Sequence, residues 1–152
     1  MKKEELTIGD AVMKSADYLK KKGVDTPRLD AELLLGKIMN SDRLHLYMDW
    51  QKPLTQLEIS GYREFIRRRG HEREPVARIV GKKSFYGRDF EVTEATFVPR
   101  PETEGLVERA LMLLDSEAAL KGERQTIFEV GTGTGCITVT MAAERGQHHY
   151  IA

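Results

Sequence analysis

The stretch Thr126-Ile-Phe-Glu-Val-Gly-Thr-Gly-Thr-Gly-Cys-Ile137 narrows the choice of fold more than any other part of the chain. Ile127, Phe128 and Val130 form a short apolar, partly β-branched run, and residues able to form a helix return from Ile137 to Ala143. The order is strand, glycine loop, helix. Gly131, Gly133 and Gly135 have no Cβ, so the loop can turn sharply and its backbone N–H groups can approach a ligand, with the positive end of the new helix facing the same way. Nucleotide or nucleoside binding is the chemistry this suggests.

Spacing separates two ligand classes. A dinucleotide fingerprint has glycine at its first, third and sixth positions, but the sixth position here is Cys136. The pattern is Gly-x-Gly-x-Gly with Glu129 two residues before the first glycine, which resembles motif I of class I S-adenosylmethionine-dependent methyltransferases. In those enzymes the acidic residue orients the loop and the methionine moiety. A glycine-rich turn with no ligand is the alternative reading of the same residues.

The 152 residues, 40% hydrophobic and 32% charged, suffice for one ordinary domain or two small ones. Lys plus Arg and Asp plus Glu are both 24, so no global basic field argues for nucleic acid. No apolar run approaches the ~18 residues of a membrane span, and the start Met1-Lys-Lys-Glu-Glu has no apolar leader core. One cysteine excludes an internal disulfide, and with four histidines it gives no metal-ligand spacing. The expected setting is a reducing cytoplasm, with no metal and no membrane partner.

The first half reads as short helices. Thr7 caps one with Ile8, Ala11, Val12, Ala16 and Leu19 at helical spacing, and Gly23 stops it. Thr26-Pro27 opens a second, with Leu29, Leu33, Leu34 and Ile38 as its apolar side and Asn40-Ser41 as its end. Ser41 or Asp42 caps a short third helix through Leu44 and Tyr47. Thr55-x-x-Glu58 is a capping box for a fourth, carrying Leu57, Ile59, Tyr62, Phe65 and Ile66. That helix ends in Arg67-Arg-Arg69. Cations on a last turn favour the negative helix end, and Glu64, Glu72 and Glu74 surround these, so a solvated helix terminus is preferred to a nucleic-acid site. Tyr47 and Trp50 are read as core or interface rather than a base-stacking platform.

From Pro75 the texture becomes extended. Val76–Val80 is expected as one strand and Phe90–Thr93 as its partner, with turns at Gly81-Lys-Lys and Tyr86–Asp89. Pro99 and Pro101 fix an extended segment, and Glu102, Thr103 and Glu104 suit a helix start. The following Leu106, Val107, Ala110, Leu111, Leu113 and Leu114 should pack on the sheet, and Lys121-Gly-Glu-Arg leads into the Ile127 strand.

Pro75-Val-Ala-Arg-Ile-Val-Gly, Phe85-Tyr-Gly, Phe97-Val-Pro-Arg-Pro-Glu-Thr-Glu and Glu129-Val-Gly-Thr-Gly-Thr-Gly together resemble the HemK/PrmC family, the peptide chain release factor glutamine N5-methyltransferases. The Pro-Arg-Pro-Glu-Thr-Glu string followed by the glycine loop is more specific than either part. The resemblance implies an α/β protein with three parts: an N-terminal helical bundle that recognises the release factor (1–74), a β-hairpin linker (75–94) and the start of a Rossmann-like class I methyltransferase domain (95–152). It implies methylation of the glutamine amide in the factor's Gly-Gly-Gln loop.

Carried over residue by residue, Gly131, Thr132, Gly133, Thr134 and Gly135 would border the methionine part of S-adenosyl-L-methionine, with Glu129 where the family more often has aspartate. Phe97, Pro99, Arg100, Glu102 and Thr103 would form a wall beside the cofactor, Arg100 and Glu102 as polar contacts. Their alternative role is to fix the linker and cap a helix. No catalytic residue is assigned. The family's ribose-binding acidic residue and its Asn-Pro-Pro-Tyr motif are not found, Asn40 being the sole asparagine. The chain therefore reads as an N-terminal part that stops inside the strand His149–Ala152, with weak or no cofactor binding, no turnover of its own, and association through an incomplete sheet. A nucleic-acid methyltransferase and a standalone protein-binding module are the alternative readings.

Overall fold

Thr7 ends an extended lead-in by accepting a hydrogen bond at Oγ1 from the Asp10 N–H, 3.1 Å away, and so starts helix α1 (Ile8–Lys21). The computed structural model describes residues 5–121 and 124–152, the side chains of 117–121 excepted; Met1–Glu4 and the expected connector at Gly122-Glu123 lie outside the described residues. Ile8, Val12 and Leu19 are fully buried, and Gly23, at φ +71°, takes the left-handed turn that stops the helix. The lead-in pairs with the segment before the fourth helix, Leu54 N–H donating to the Leu6 carbonyl at 2.9 Å.

Helix α2 (Pro27–Met39) has Pro27 in its first turn and ends at Asn40, which is left-handed at φ 48°. It packs against α1, α3 (Arg43–Met48), α4 (Gln56–Gly70) and α5 (Val76–Val80), so most of its circumference is covered. This rotates the buried stripe away from the expected Leu29-Leu33 side. Ala31, Leu34 and Leu35 are fully buried, Asp30 and Glu32 are buried beside them, and Leu29 and Leu33 are exposed at the edge.

Asp42, rather than Ser41, caps α3 by accepting from His45 N–H at 2.9 Å. The capping box at α4 is complete: Glu58 N–H donates to Thr55 Oγ1 at 3.3 Å and Thr55 N–H to Glu58 Oε2 at 2.7 Å. Ile59, Tyr62 and Ile66 enter the core, whereas Leu57, expected on that face, is exposed. Tyr62 takes its hydroxyl inside and donates to the Ala31 carbonyl at 3.0 Å; burial pushes its phenol well above the ordinary range.

Val76–Val80 is helical and not the expected strand. Pro75 accepts at its carbonyl from the Arg78 and Ile79 N–H groups, at 2.9 and 3.3 Å, which begins a turn of helix. Val76, Ile79 and Val80 then share one face and pack on the helical core, and that burial outweighs their β-branched preference. The hairpin forms further along, from β1 (Lys82–Phe85) and β2 (Arg88–Glu91), antiparallel with Phe85 opposite Arg88. Its two-residue turn, Tyr86 at φ 50° and Gly87 at φ 73°, has the sign pattern of a type I′ turn.

The chain divides into two compact units, Met1–Val80 and Gly81–Ala152. In the second, Phe85 and Phe90 meet edge to face with centroids 6.1 Å apart, and both belong to a core with Val107, Leu111, Cys136 and Met141. The hairpin is thus built into this unit's core. Helix α6 (Glu102–Lys121) contributes Val107 and Leu111 to it, while Leu106 and Leu113, expected to pack on the sheet, are exposed. Strand β3 (Thr126–Phe128), helix α7 (Cys136–Glu144) and strand β4 (His149–Ile151) form a βαβ unit, the strands parallel with Ile127 opposite Tyr150. Tyr150 closes the end of α7, its hydroxyl within 3.1 Å of the Met141 carbonyl and 2.9 Å of the Arg145 carbonyl.

Candidate functional site: the glycine loop after strand β3

Glu129 leaves β3 with its N–H bonded to the Ile151 carbonyl at 2.8 Å, so the sheet fixes where the loop begins. Gly131, Gly133 and Gly135 follow at φ +78°, +56° and +75°, each in the left-handed region that side-chain-bearing residues rarely adopt. The loop closes through Gly135 N–H on the Thr132 carbonyl at 2.8 Å, and Gly135 becomes the N-cap of α7.

Gly135 has no side chain to cap that helix, and Glu129 does so instead. Its Oε2 accepts from the Thr138 N–H at 3.1 Å and also from the Thr138 hydroxyl. A carboxylate thereby sits at the positive end of α7, where it offsets the helix dipole and satisfies an otherwise unpaired amide. The sequence reading gave Glu129 a ligand-orienting role and missed Thr138 as its anchor. The signal was present: a hydroxyl residue at the third position of the helix, with glycine at the cap.

Room for a ligand lies over the first glycine. A Cβ placed on Gly131 would meet nothing within 4 Å, and one on Gly133 would meet only the Gly131 carbonyl at 3.9 Å. The Thr132 hydroxyl is buried and has no hydrogen-bond partner among the described residues, an arrangement that costs free energy unless something fills it. Both hydrogen bonds of the Glu129 carboxylate fall on Oε2, so Oε1 carries no partner among the described residues. Free glycine space, an unmatched hydroxyl and a free carboxylate oxygen fit the amino-acid end of a nucleoside cofactor.

In the segment expected as a wall, Pro99 is buried, Thr103 partly buried, and Phe97, Arg100 and Glu102 exposed; Phe97 is 89% exposed. Its hydrogen bonds are local: Thr103 N–H donates to the Arg100 carbonyl and Glu104 N–H to the Pro101 carbonyl, both at 3.0 Å, which starts α6. Glu104 Oε1 then accepts from the Tyr86 N–H at 2.9 Å and pins the hairpin turn. Among the described residues no hydrogen bond joins this segment to the glycine loop. Here the helix-starting role is visible in the contacts.

The arginine triplet is consumed by ion pairs within its own unit. Arg67 bonds Glu64 and Glu72 at 2.7 and 2.6 Å, Arg68 bonds Glu74 at 2.7 Å, and Arg69 bonds the buried Asp30 at 2.6 Å. Its charge is neutralised, as the surrounding acidic residues implied. A second polar cluster had no signal beyond a carboxylate within an apolar helix. Glu32, buried on α2, accepts from Arg28 Nε at 3.1 Å, Arg43 Nε at 2.7 Å and Tyr47 Oη at 2.6 Å. Burial alone would raise its pKa, but the bonds from Tyr47, Arg28 and Arg43 outweigh that and hold it below the usual carboxylate range. No described helix is long and apolar enough to cross a membrane, and no described group of His, Cys, Asp or Glu has the makings of a metal site.

Residues 10–81 match the family model of the PrmC N-terminal domain. A protein of Chlorobaculum tepidum named release factor glutamine methyltransferase is 42% identical over 125 residues, covering 82% of this chain and 42% of its own length. One of the same name from Koribacter versatilis is 42% identical over 139 residues, 91% of this chain and 48% of its own. A bifunctional methyltransferase of Rickettsia prowazekii is 31% identical over 162 aligned positions, 97% of this chain and 31% of its own. The chain therefore spans less than half the length of these curated relatives.

Proposed function

Because this chain belongs to the HemK/PrmC family, we propose that it carries the partner-recognition unit and the cofactor loop of an S-adenosyl-L-methionine-dependent methyltransferase acting on the glutamine of the Gly-Gly-Gln loop in peptide chain release factors. Cytoplasm is the setting. The observation that carries the reading is the glycine loop itself: open space over Gly131, and, among the described residues, a buried Thr132 hydroxyl without a partner and a Glu129 carboxylate bonded through Oε2 alone.

The cofactor, when bound, supplies a methyl group on a sulfonium. Gly131 and Gly133 would let backbone amides approach its methionine end, and Glu129, whose Oε2 is held by Thr138, and the buried Thr132 hydroxyl would supply polar partners for it. Phe97, Pro99, Arg100, Glu102 and Thr103 remain the proposed wall. An amide nitrogen is a poor nucleophile because its lone pair is delocalised, so alignment and hydrogen bonding must supply much of the rate. The family's ribose-binding acidic residue is not among these residues, so this chain alone is proposed to bind cofactor weakly or not at all, and without the amide-holding Asn-Pro-Pro-Tyr it is proposed to turn over nothing. Methylation of nucleic acid is disfavoured by the neutralised arginine triplet.

Backbone NMR of the chain with S-adenosyl-L-methionine up to millimolar concentration tests this. Shifts concentrated at Glu129–Gly135 are expected, with saturation no tighter than millimolar. Micromolar binding in calorimetry refutes the weak-binding claim, and shifts that spare the loop refute the site.

A further inference from the structure

The pairing around Glu32 leaves charge to spare. Two guanidinium groups, Arg28 and Arg43, converge on a single buried carboxylate, so the cluster carries one net positive charge. Their side chains are 65% and 49% exposed, and Nη1 of each has no partner among the described residues. Glu32 fixes both arginines, so an incoming carboxylate would meet donors whose rotamer freedom is already spent. Tyr47 lies between them, receiving a bond from Arg28 Nη2 at 3.3 Å while it donates to Glu32. It also stacks on Trp50 with centroids 5.1 Å apart. On the same short helix, Leu44 and Met48 are one turn apart and are 67% and 73% exposed. Neutralising Glu32 does not require those two apolar side chains in water.

We propose that this α2–α3 face, with Arg28, Arg43, Leu44, Tyr47 and Met48, docks an acidic segment of the release factor that carries an apolar residue. The proposal rests on the release-factor reading above. The incoming carboxylate pairs with the spare guanidinium donors, and the apolar residue covers Leu44 and Met48, methionine being well suited to an adaptable contact. One net charge beside exposed apolar groups favours protein over nucleic acid, whose affinity comes from neutralising many phosphates.

The test is calorimetric titration of the 152-residue chain with a purified release factor. Leu44→Glu and Met48→Glu, at exposed positions, should each weaken binding at least ten-fold with unchanged helical circular dichroism. Leu57→Glu, at an exposed site on α4, should leave it unchanged. Arg28→Gln should weaken binding and flatten its salt dependence, and Arg28→Lys should restore part of both. If the wild type binds and the two glutamate variants bind equally well, this face is overturned while the release-factor reading stands. Failure of the wild type to bind overturns that reading and the docking face with it. If a short RNA duplex displaces the factor and itself loses binding in the same variants, the face is a nucleic-acid site and the proposal is wrong.

Discussion

Arg69 Nε donates to Asp30 Oδ2 at 2.6 Å, joining residues 39 positions apart at the end of α4 and the start of α2. Asp30 also accepts from the Thr26 hydroxyl at 2.8 Å, so both its oxygens are used. Removing one partner of a largely buried pair leaves the other charge uncompensated. Asp30→Ala is therefore expected to cost about 2–4 kcal/mol in urea unfolding, at or below the range for buried pairs because Arg69 keeps some exposure. Asp30→Leu combined with Arg69→Met should recover most of that loss. Equal destabilisation by the single and double variants would show that the pair is not the source.

Stability should also fall in acid through Glu32. Its folded pKa lies below the ordinary 4.5, so the proton binds the unfolded chain more readily. The contribution is complete above 4.5 and is lost as pH falls through the folded value. Glu58, held down mainly by the Thr55 backbone N–H, and Glu74, held down mainly by Arg68, act with the same sign. Unfolding free energy measured from neutral pH down to pH ~3 should decline below that point, and Glu32→Gln should lower the plateau and shallow the decline. A stability profile that Glu32→Gln leaves parallel to wild type would exclude Glu32 as a contributor.

The Glu129–Thr138 contact makes a separate forecast. Loss of a helix cap costs typically about 1 kcal/mol, so Glu129→Ala should speed amide hydrogen exchange across α7 several-fold, and Thr138→Val, which keeps the N–H bond and loses only the hydroxyl's, should speed it less. Gly135→Ala should do the same as Glu129→Ala, since φ +75° strains any side chain there. Gly131→Ala bears the same backbone strain, its Cβ meeting nothing within 4 Å, and it should in addition abolish the loop's response to cofactor. Cofactor shifts that persist in Gly131→Ala would move the ligand elsewhere.

The helical unit has its own core and caps, so residues 1–80 should fold without the rest. Cooperative thermal unfolding by circular dichroism is the expected result. In the second unit, a cavity of about 230 Å³ lies beside β3 among Leu113, Leu114, Ile127 and Met141, and Phe128 is 68% exposed. Exchange on dilute monomer should therefore be faster through Ile127–Ala143 than through the helical unit. Matching protection in the two would refute the contrast.

Local chemistry was legible in the sequence because its causes are local. The Thr7 cap, the Thr55–Glu58 box, the Pro27 start and the strand–loop–helix order around Gly131–Gly135 each depend on neighbours a few residues away. Tertiary packing decided the rest. Val76–Val80 has a β-branched composition, yet it is helical because Val76, Ile79 and Val80 had a core to enter. The buried stripe of α2 turned away from Leu29 and Leu33 because four other helices surround it. Asp30 and Glu32 could then be buried because Arg69, Arg28 and Arg43 arrive from elsewhere or from one turn away. Glu129 shows both levels: its place before the glycines is written in the sequence, but its bond to Thr138 exists only once β3 and α7 are set side by side. A one-dimensional pattern encodes what a residue prefers, and only the folded chain determines which distant donor reaches a buried charge.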